Sequence, residues 1–128
     1  MLNQSGITKV NGTAPVQILF NVQNQMSVGV KIAKNFAGAV TENGRKIVKA
    51  GTPLTGDLTA RDTAFTAAGA SDAVGILLHD VDVTDNDANC SLLIWGFVNL
   101  NRIDSTTAAK INAGVKTALA GKVWFLKD

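Results

Sequence analysis

Between Ser91 and Val98 the chain sets Leu92, Leu93, Ile94, Trp95, Phe97 and Val98 almost side by side, with Gly96 the only small residue among them. A strand alternates its side chains between two faces, so a run apolar at both parities must be covered on both sides. That makes Ser91 to Ile103 the expected central strand, around which the remaining elements have to pack. The run from Leu92 to Val98 is also the longest apolar one. It falls far short of the roughly 18 residues a membrane-spanning helix needs, so a soluble chain without a membrane partner is expected.

The other segments fit such a centre. At 128 residues the length suits one domain. The absence of Tyr and the small number of aromatic residues point to an aliphatic core. Glu42-Asn43-Gly44-Arg45 is the strongest hairpin signal, because Asn-Gly tolerates two successive positive φ angles. Short apolar runs, Val28 to Ala33 and Ala37 to Thr41, lead into it. Ile47 to Ala50 is the return strand, closed by Gly51-Thr52-Pro53, with Leu54 and Leu58 expected to anchor the following loop. Residues 59–72, rich in Thr, Ala, Gly, Ser and Asp, read as a long surface loop. Ala73 to Val83 reads as a strand, in which Gly75 suits a close backbone approach or a bulge.

After the turn cluster Asp85-Asn86-Asp87-Ala88-Asn89 and the central strand, Asp104, Ser105 or Thr106 can cap a helix. Ile111, Val115 and Leu119 fall on one stripe of that helix and Gly121 stops it. Lys122 to Lys127 is a final strand, with Val123 and Phe125 facing one way and Trp124 and Leu126 the other. The expected class is α+β and β-rich: a small mixed-sheet or barrel-like domain with one C-terminal helix and an N-terminal arm.

The arm covers residues 1–27 and the body 28–128. The first 14 residues are small and polar, with Asn11-Gly12 as a turn signal. After Pro15, Val16, Ile18, Phe20 and Val22 alternate with Gln17, Leu19, Asn21 and Gln23, the period of a half-buried strand. Such a strand either belongs to the domain or adds to the edge of another protein's sheet. Met1-Leu2-Asn3-Gln4 has neither the basic start nor the apolar centre of a signal peptide, so an intracellular origin is the simpler expectation.

Chemistry is thinly supported. A single Cys90 and a single His79 fall short of the ligands of a structural zinc site, and a Cys90–His79 nucleophilic pair competes with a buried thiol and an exposed imidazole. Asp80, Asp82, Asp85 and Asp87 are oxygen donors of the kind calcium uses, but the glycine and bidentate glutamate of an EF-hand are missing, and Val81 and Val83 alternate with the acids as in a strand. No P-loop is present, and Asp57 with Asp62 has no visible cleft for glycosidase chemistry. No cofactor, metal or catalytic residue is therefore expected.

The net charge of +2 does not argue for nucleic acid. The charge is segregated: residues 1–50 carry six Lys or Arg against Glu42, residues 51–101 carry Arg61 against seven Asp, and residues 102–128 carry five basic against two acidic residues. Either the fold intermixes these segments or surfaces of opposite sign meet a partner. Trp95 and Trp124 read as core or subunit-interface residues, with an oligomer contact the sharper form.

The order Arg45-Lys46-Ile47-Val48-Lys49-Ala50-Gly51-Thr52-Pro53-Leu54, then Ala73-Val74-Gly75-Ile76-Leu77-Leu78-His79-Asp80, then Ser91-Leu92-Leu93-Ile94-Trp95-Gly96-Phe97-Val98 resembles the head decoration proteins of tailed bacteriophages. That lambda-like family cements finished capsids, and the resemblance covers roughly residues 37–128. It implies a β-rich α+β fold, a homotrimer at three-fold and quasi-three-fold capsid positions, and an N-terminal arm that orders on the capsid. The partners implied are the major capsid protein and further copies of the chain. The location implied is the virion surface, after synthesis in the host cytoplasm. On this view Val16, Ile18, Phe20 and Val22 make the capsid contact, and Trp95 and Trp124 the oligomer contact. The chain departs from the family in its longer amino-terminal region and in lacking a Pro/His-rich opening, which leaves room for the base of a head fibre. Ile47 to Thr55 also looks like the turn of the β-clip modules appended to sialic acid synthases, the mark of a ligand-binding module.

Overall fold

The computed structural model describes residues 17–20, 23–34, 36–69 and 71–127. Among the described residues nine strands form two sheets: β1 (Met26–Ile32), β2 (Val40–Glu42), β3 (Arg45–Val48), β4 (Pro53–Thr55), β5 (Thr66–Ala67), β6 (Gly75–Leu77), β7 (Val81–Asp82), β8 (Ala88–Asn99) and β9 (Val123–Leu126). The larger sheet runs β1-β8-β6-β4-β5, with β9 also on β8, and the smaller runs β2-β3-β7. The fold is thus β-rich α+β, as the sequence pattern predicts.

β8 is the centre. Its twelve residues pair antiparallel with β1 and β6 and parallel with β9. The far ends of the sheet meet at a bridge between Ile32 and Phe65, where the Phe65 N–H donates to the Lys31 carbonyl at 2.8 Å. A sheet whose two ends join is a barrel, and its interior is filled by side chains. Val30, Ile32, Leu54, Phe65, Leu77 and Leu92 occupy it, joined by Phe36, Val48 and Val83. A second core lies against the sheet's other face, where Ile76, Leu78, Leu93 and Val98 meet Ile103, Ile111, Val115, Leu119 and Val123. Gly75 is what allows β6 its closeness to β8: a Cβ there would stand 2.6 Å from the Leu93 carbonyl oxygen.

The hairpin forms as expected, with Asn43 and Gly44 at φ 52° and 77° between β2 and β3. Four expectations need correction. Residues 59–72 are not all surface loop, because they contain β5 and send Phe65 into the barrel. Leu54 is fully buried, but Leu58 is exposed and anchors nothing. Ala73 to Val83 is two strands in different sheets. The corner between them is fixed by Asp80, whose carboxylate accepts from the Ala50 N–H at 2.8 Å and the Lys49 ammonium at 3.1 Å. The single helix is two short ones, α1 (Ser105–Ala108) and α2 (Ala113–Ala118). Asp104 caps the first, and Asn112 restarts the chain by accepting from the Val115 N–H at 3.0 Å. The apolar stripe survives, since Ile111, Val115 and Leu119 are all buried.

The amino-terminal boundary also moves. The Asn99 N–H donates to the Ile18 carbonyl at 2.8 Å and the Phe20 N–H to the Phe97 carbonyl at 2.7 Å, so residues 18–20 extend the sheet along β8. Ile18 and Leu19 are core residues, and β1 begins at Met26, before the expected division at 27.

Part of the charge segregation is met inside the domain. Arg45 pairs with Asp82 at 2.9 Å and Asp85 at 3.2 Å, Lys49 with Asp80 and Glu42, and Lys31 with Asp87. These contacts tie the smaller sheet to the turn that precedes β8. Burial opposes the charge on Lys49, but the hydrogen bonds it donates to Asp80 and Glu42 and their negative charge outweigh that and raise the pKa. The Thr84 hydroxyl, the Arg45 guanidinium and the Thr84 N–H hold the Asp82 carboxyl at about 2. A carboxyl depressed by folding contributes stability that is complete above its ordinary value near 3.8 and is lost as the pH falls towards 2. The melting temperature should therefore decline between about pH 4 and pH 2. In Asp82→Asn the decline should be shallower; equal slopes in calorimetry of the two proteins would show that the carboxylate is not coupled to folding.

Candidate functional site: an exposed aromatic face

Leu93 and Val98 lie five residues apart on β8 and yet both reach the helix-side core. In a regular strand an odd separation puts side chains on opposite faces. The register with β1 shows how this is resolved: Ser27 pairs with Leu93 and Met26 with Trp95, so Ile94 is one residue too many. A bulge of this kind re-aims the side chains around it. Gly96, at φ 155°, completes the change, and a Cβ there would meet the Gln25 side chain at 3.2 Å and the Leu93 side chain at 3.1 Å.

Beyond the bulge, Trp95 and Phe97 turn outward together. Their rings lie edge to face at 5.8 Å. On β9 the alternation sends Val123 and Phe125 to the core and Trp124 and Leu126 outward, as the sequence predicts. Trp124 pairs with Phe97 across the parallel ladder and stacks on it at 5.2 Å, while meeting Trp95 edge to face at 5.9 Å. Such ring pairs contribute about 0.5–1.5 kcal/mol each beyond area burial, enough to fix the rings in place.

Both Trp side chains remain 40% exposed. Met26 lies opposite Trp95 and Phe20 beside Phe97 on the neighbouring strand edge, at 57% and 48% exposed, and Leu126 extends the face along β9. Contiguous apolar surface of this kind is often functional on a monomer. Its composition of Trp, Phe and Met is that of interface centres.

Of the four residues expected to form the capsid contact, Val16 and Val22 lie outside the described residues. Ile18 is fully buried in the body and in this conformation offers no surface. Phe20 is exposed, and its main chain bonds to Phe97, whose ring touches both Trp residues expected at an oligomer contact. Sequence reasoning missed Phe97 and Met26 as members of this face. Gly96 in an otherwise apolar strand is the signal that could have found the bulge and hence the outward turn.

Most of the groups considered for catalysis and metal binding are engaged in the fold. Burial pushes the Cys90 thiol up to about 11, and the thiol donates to the Val30 carbonyl at 3.7 Å, so it stays protonated beside the barrel core. His79 is exposed. The acids from Asp80 to Asp87 hold Lys, Arg and backbone N–H groups, and among the described residues no three His, Cys, Asp or Glu are grouped to bind a metal. An open cleft of about 520 Å³ beside Gly29 and Leu58 contains Arg61, whose guanidinium is spent on the Gly29 carbonyl at 2.9 Å. Among the described residues no helix is long and apolar enough to cross a membrane. No protein-family profile matches this chain, and no curated protein matches it.

Proposed function

We propose that the protein is a non-enzymatic structural protein that works by surface contact, a head decoration protein of the kind its sequence resembles. It assembles as a homotrimer and binds the major capsid protein on the outside of an expanded phage capsid. The observation that carries this reading is the open face of Trp95, Phe97 and Trp124 with Phe20, Met26 and Leu126 around it. A rigid aromatic surface presented by a closed barrel loses little entropy on association, so its burial is available as binding free energy. The Trp pair serves the contact between copies. Phe20, next to the amino-terminal segment, continues the surface towards the capsid side.

The test is co-sedimentation with the virus's own capsids. The protein should pellet with expanded capsids and stay in the supernatant with unexpanded procapsids. Recovery in the supernatant in both cases would sink the decoration role.

A further inference from the structure

The ion pairs around the smaller sheet leave a remainder of charge, and that remainder is sorted by sign. Residues 51–79 hold Asp57, Asp62 and Asp72 against Arg61, and residues 102–127 hold Arg102, Lys110, Lys116, Lys122 and Lys127 against Asp104. None of them makes an ion pair among the described residues. Asp104 spends its carboxylate on the cap of α1, and with Asp128 counted residues 102–128 still carry five basic groups against two acids. Unpaired charges of both signs, held apart on one chain, suit a contact between copies.

Each sign accompanies an apolar feature. A cleft of about 520 Å³ opens between the 3₁₀ turn Leu100–Arg102, the two helices and the end of β9. Ile103 and Ile111, both buried, line it together with half-buried Leu100 and Ala108, and the exposed Lys116 and Lys127 complete it. Its counterpart is the loop after β4, where Leu58 is 38% exposed and lies between Asp57 and Asp62 in the chain. That loop is already held in shape. The Asp57 carboxylate accepts from the Thr59 N–H at 2.8 Å, the Ala60 N–H donates to the Asp57 carbonyl at 3.0 Å, and Arg61 ties the loop to the Gly29 carbonyl. Little ordering is therefore lost when a partner meets it. Two acids against Arg61 leave the loop at −1, and the two lysines leave the cleft at +2.

The two features stand at opposite ends of β8, the loop by Asn89 and the cleft by Leu100. The strand between them is roughly 35 Å long, so the loop does not reach the cleft of its own chain. Residues 1–16 carry Lys9 and no acid, and so do not match the lysines of the cleft. We propose that the cleft receives Leu58 of a second copy in a head-to-tail contact, with Asp57 and Asp62 of that copy beside Lys116 and Lys127. Contacts of this kind form closed rings when the rotation between copies closes. This deepens the homotrimer reading and rests on it. Lys127 follows Leu126, so the cleft adjoins the aromatic face and one neighbouring copy can cover both.

Sedimentation equilibrium of the full chain at low salt tests the contact. Leu58→Ser should weaken association at least about tenfold, the effect of removing one apolar anchor. Lys116→Glu/Lys127→Glu sets −2 against −1, and Asp62→Lys sets +2 against +1, so each should weaken association by a similar factor. Combining the three changes sets −2 against +1 and should recover most of the wild-type association. All variants should melt like the wild type at dilutions where every protein is monomeric. A wild-type trimer that none of the variants weakens, or a triple variant no better than its parents, overturns the contact and leaves the homotrimer standing. A wild type that is monomeric at every concentration removes both. If Lys116→Glu/Lys127→Glu keeps its trimer but no longer pellets with expanded capsids, the cleft belongs to the capsid protein and the contact between copies is wrong.

Discussion

Phe65→Ala is expected to lower the free energy of unfolding by about 3–5 kcal/mol, the range for truncating a fully buried Phe without collapse of the site. The ring fills the barrel beside Gly56, where a Cβ would come within 2.6 Å of it, and the same residue's backbone closes the sheet on Ile32. Neither role can be taken over by the Thr and Ala residues around it. For a domain of this size the loss corresponds to a fall in melting temperature of roughly 10–20 °C. Phe65→Leu, which keeps most of the volume, should lose much less. Chemical denaturation of the three proteins gives the comparison. A change under about 1 kcal/mol in Phe65→Ala would mean that the barrel interior is not packed around this ring.

Self-association should collapse when the aromatic face is removed. Trp95→Ser/Trp124→Ser takes away two rings of the type that act as interface hot spots, each worth about 2 kcal/mol or more when buried by a partner. Together that is about a thousandfold in the association constant if the effects add. The rings are partly open to water and pack chiefly on one another and Phe97, so the variant should still fold. Sedimentation equilibrium is the measurement: trimer mass for the wild type, monomer mass for the variant at the same concentration. A wild type that stays monomeric at every concentration, or a variant that remains trimeric, removes the face from the assembly.

The local signals in the sequence were reliable where a residue's own conformation decides the matter. Asn43-Gly44 made its turn, the parity of Val123 to Leu126 sorted core from surface, and the stripe Ile111, Val115, Leu119 was buried. What the sequence concealed depends on distant partners. Ala73 to Val83 reads as one strand because nothing local shows that Asp80 will be drawn to Ala50 and Lys49. Phe65 sits among loop residues, and only the barrel supplies its environment. At the candidate face both Trp residues stand out in the sequence by size alone, but that Met26 lies opposite Trp95 and Phe20 beside Phe97 follows from the pairing of β8 with β1 and residues 18–20, which no short window contains. The helix divided because Asn112 adopts an extended N-cap conformation inside an otherwise helix-prone, Ala-containing stretch and starts a second turn of its own.

β8 contributes Leu92 to the barrel interior and Leu93 to the helix-side core, so adjacent residues of one strand are shared between both apolar clusters. Neither cluster can come apart while β8 keeps its place, and neither can hold β8 alone. Melting of the two halves is thereby fused into a single cooperative transition, with no stable state in which only the barrel or only the helical side is formed. A contact made on the outer end of this strand, at Trp95 or Phe97, is thus felt by the whole domain: a partner bound there stabilises the barrel interior it never touches, by mass action on one shared equilibrium.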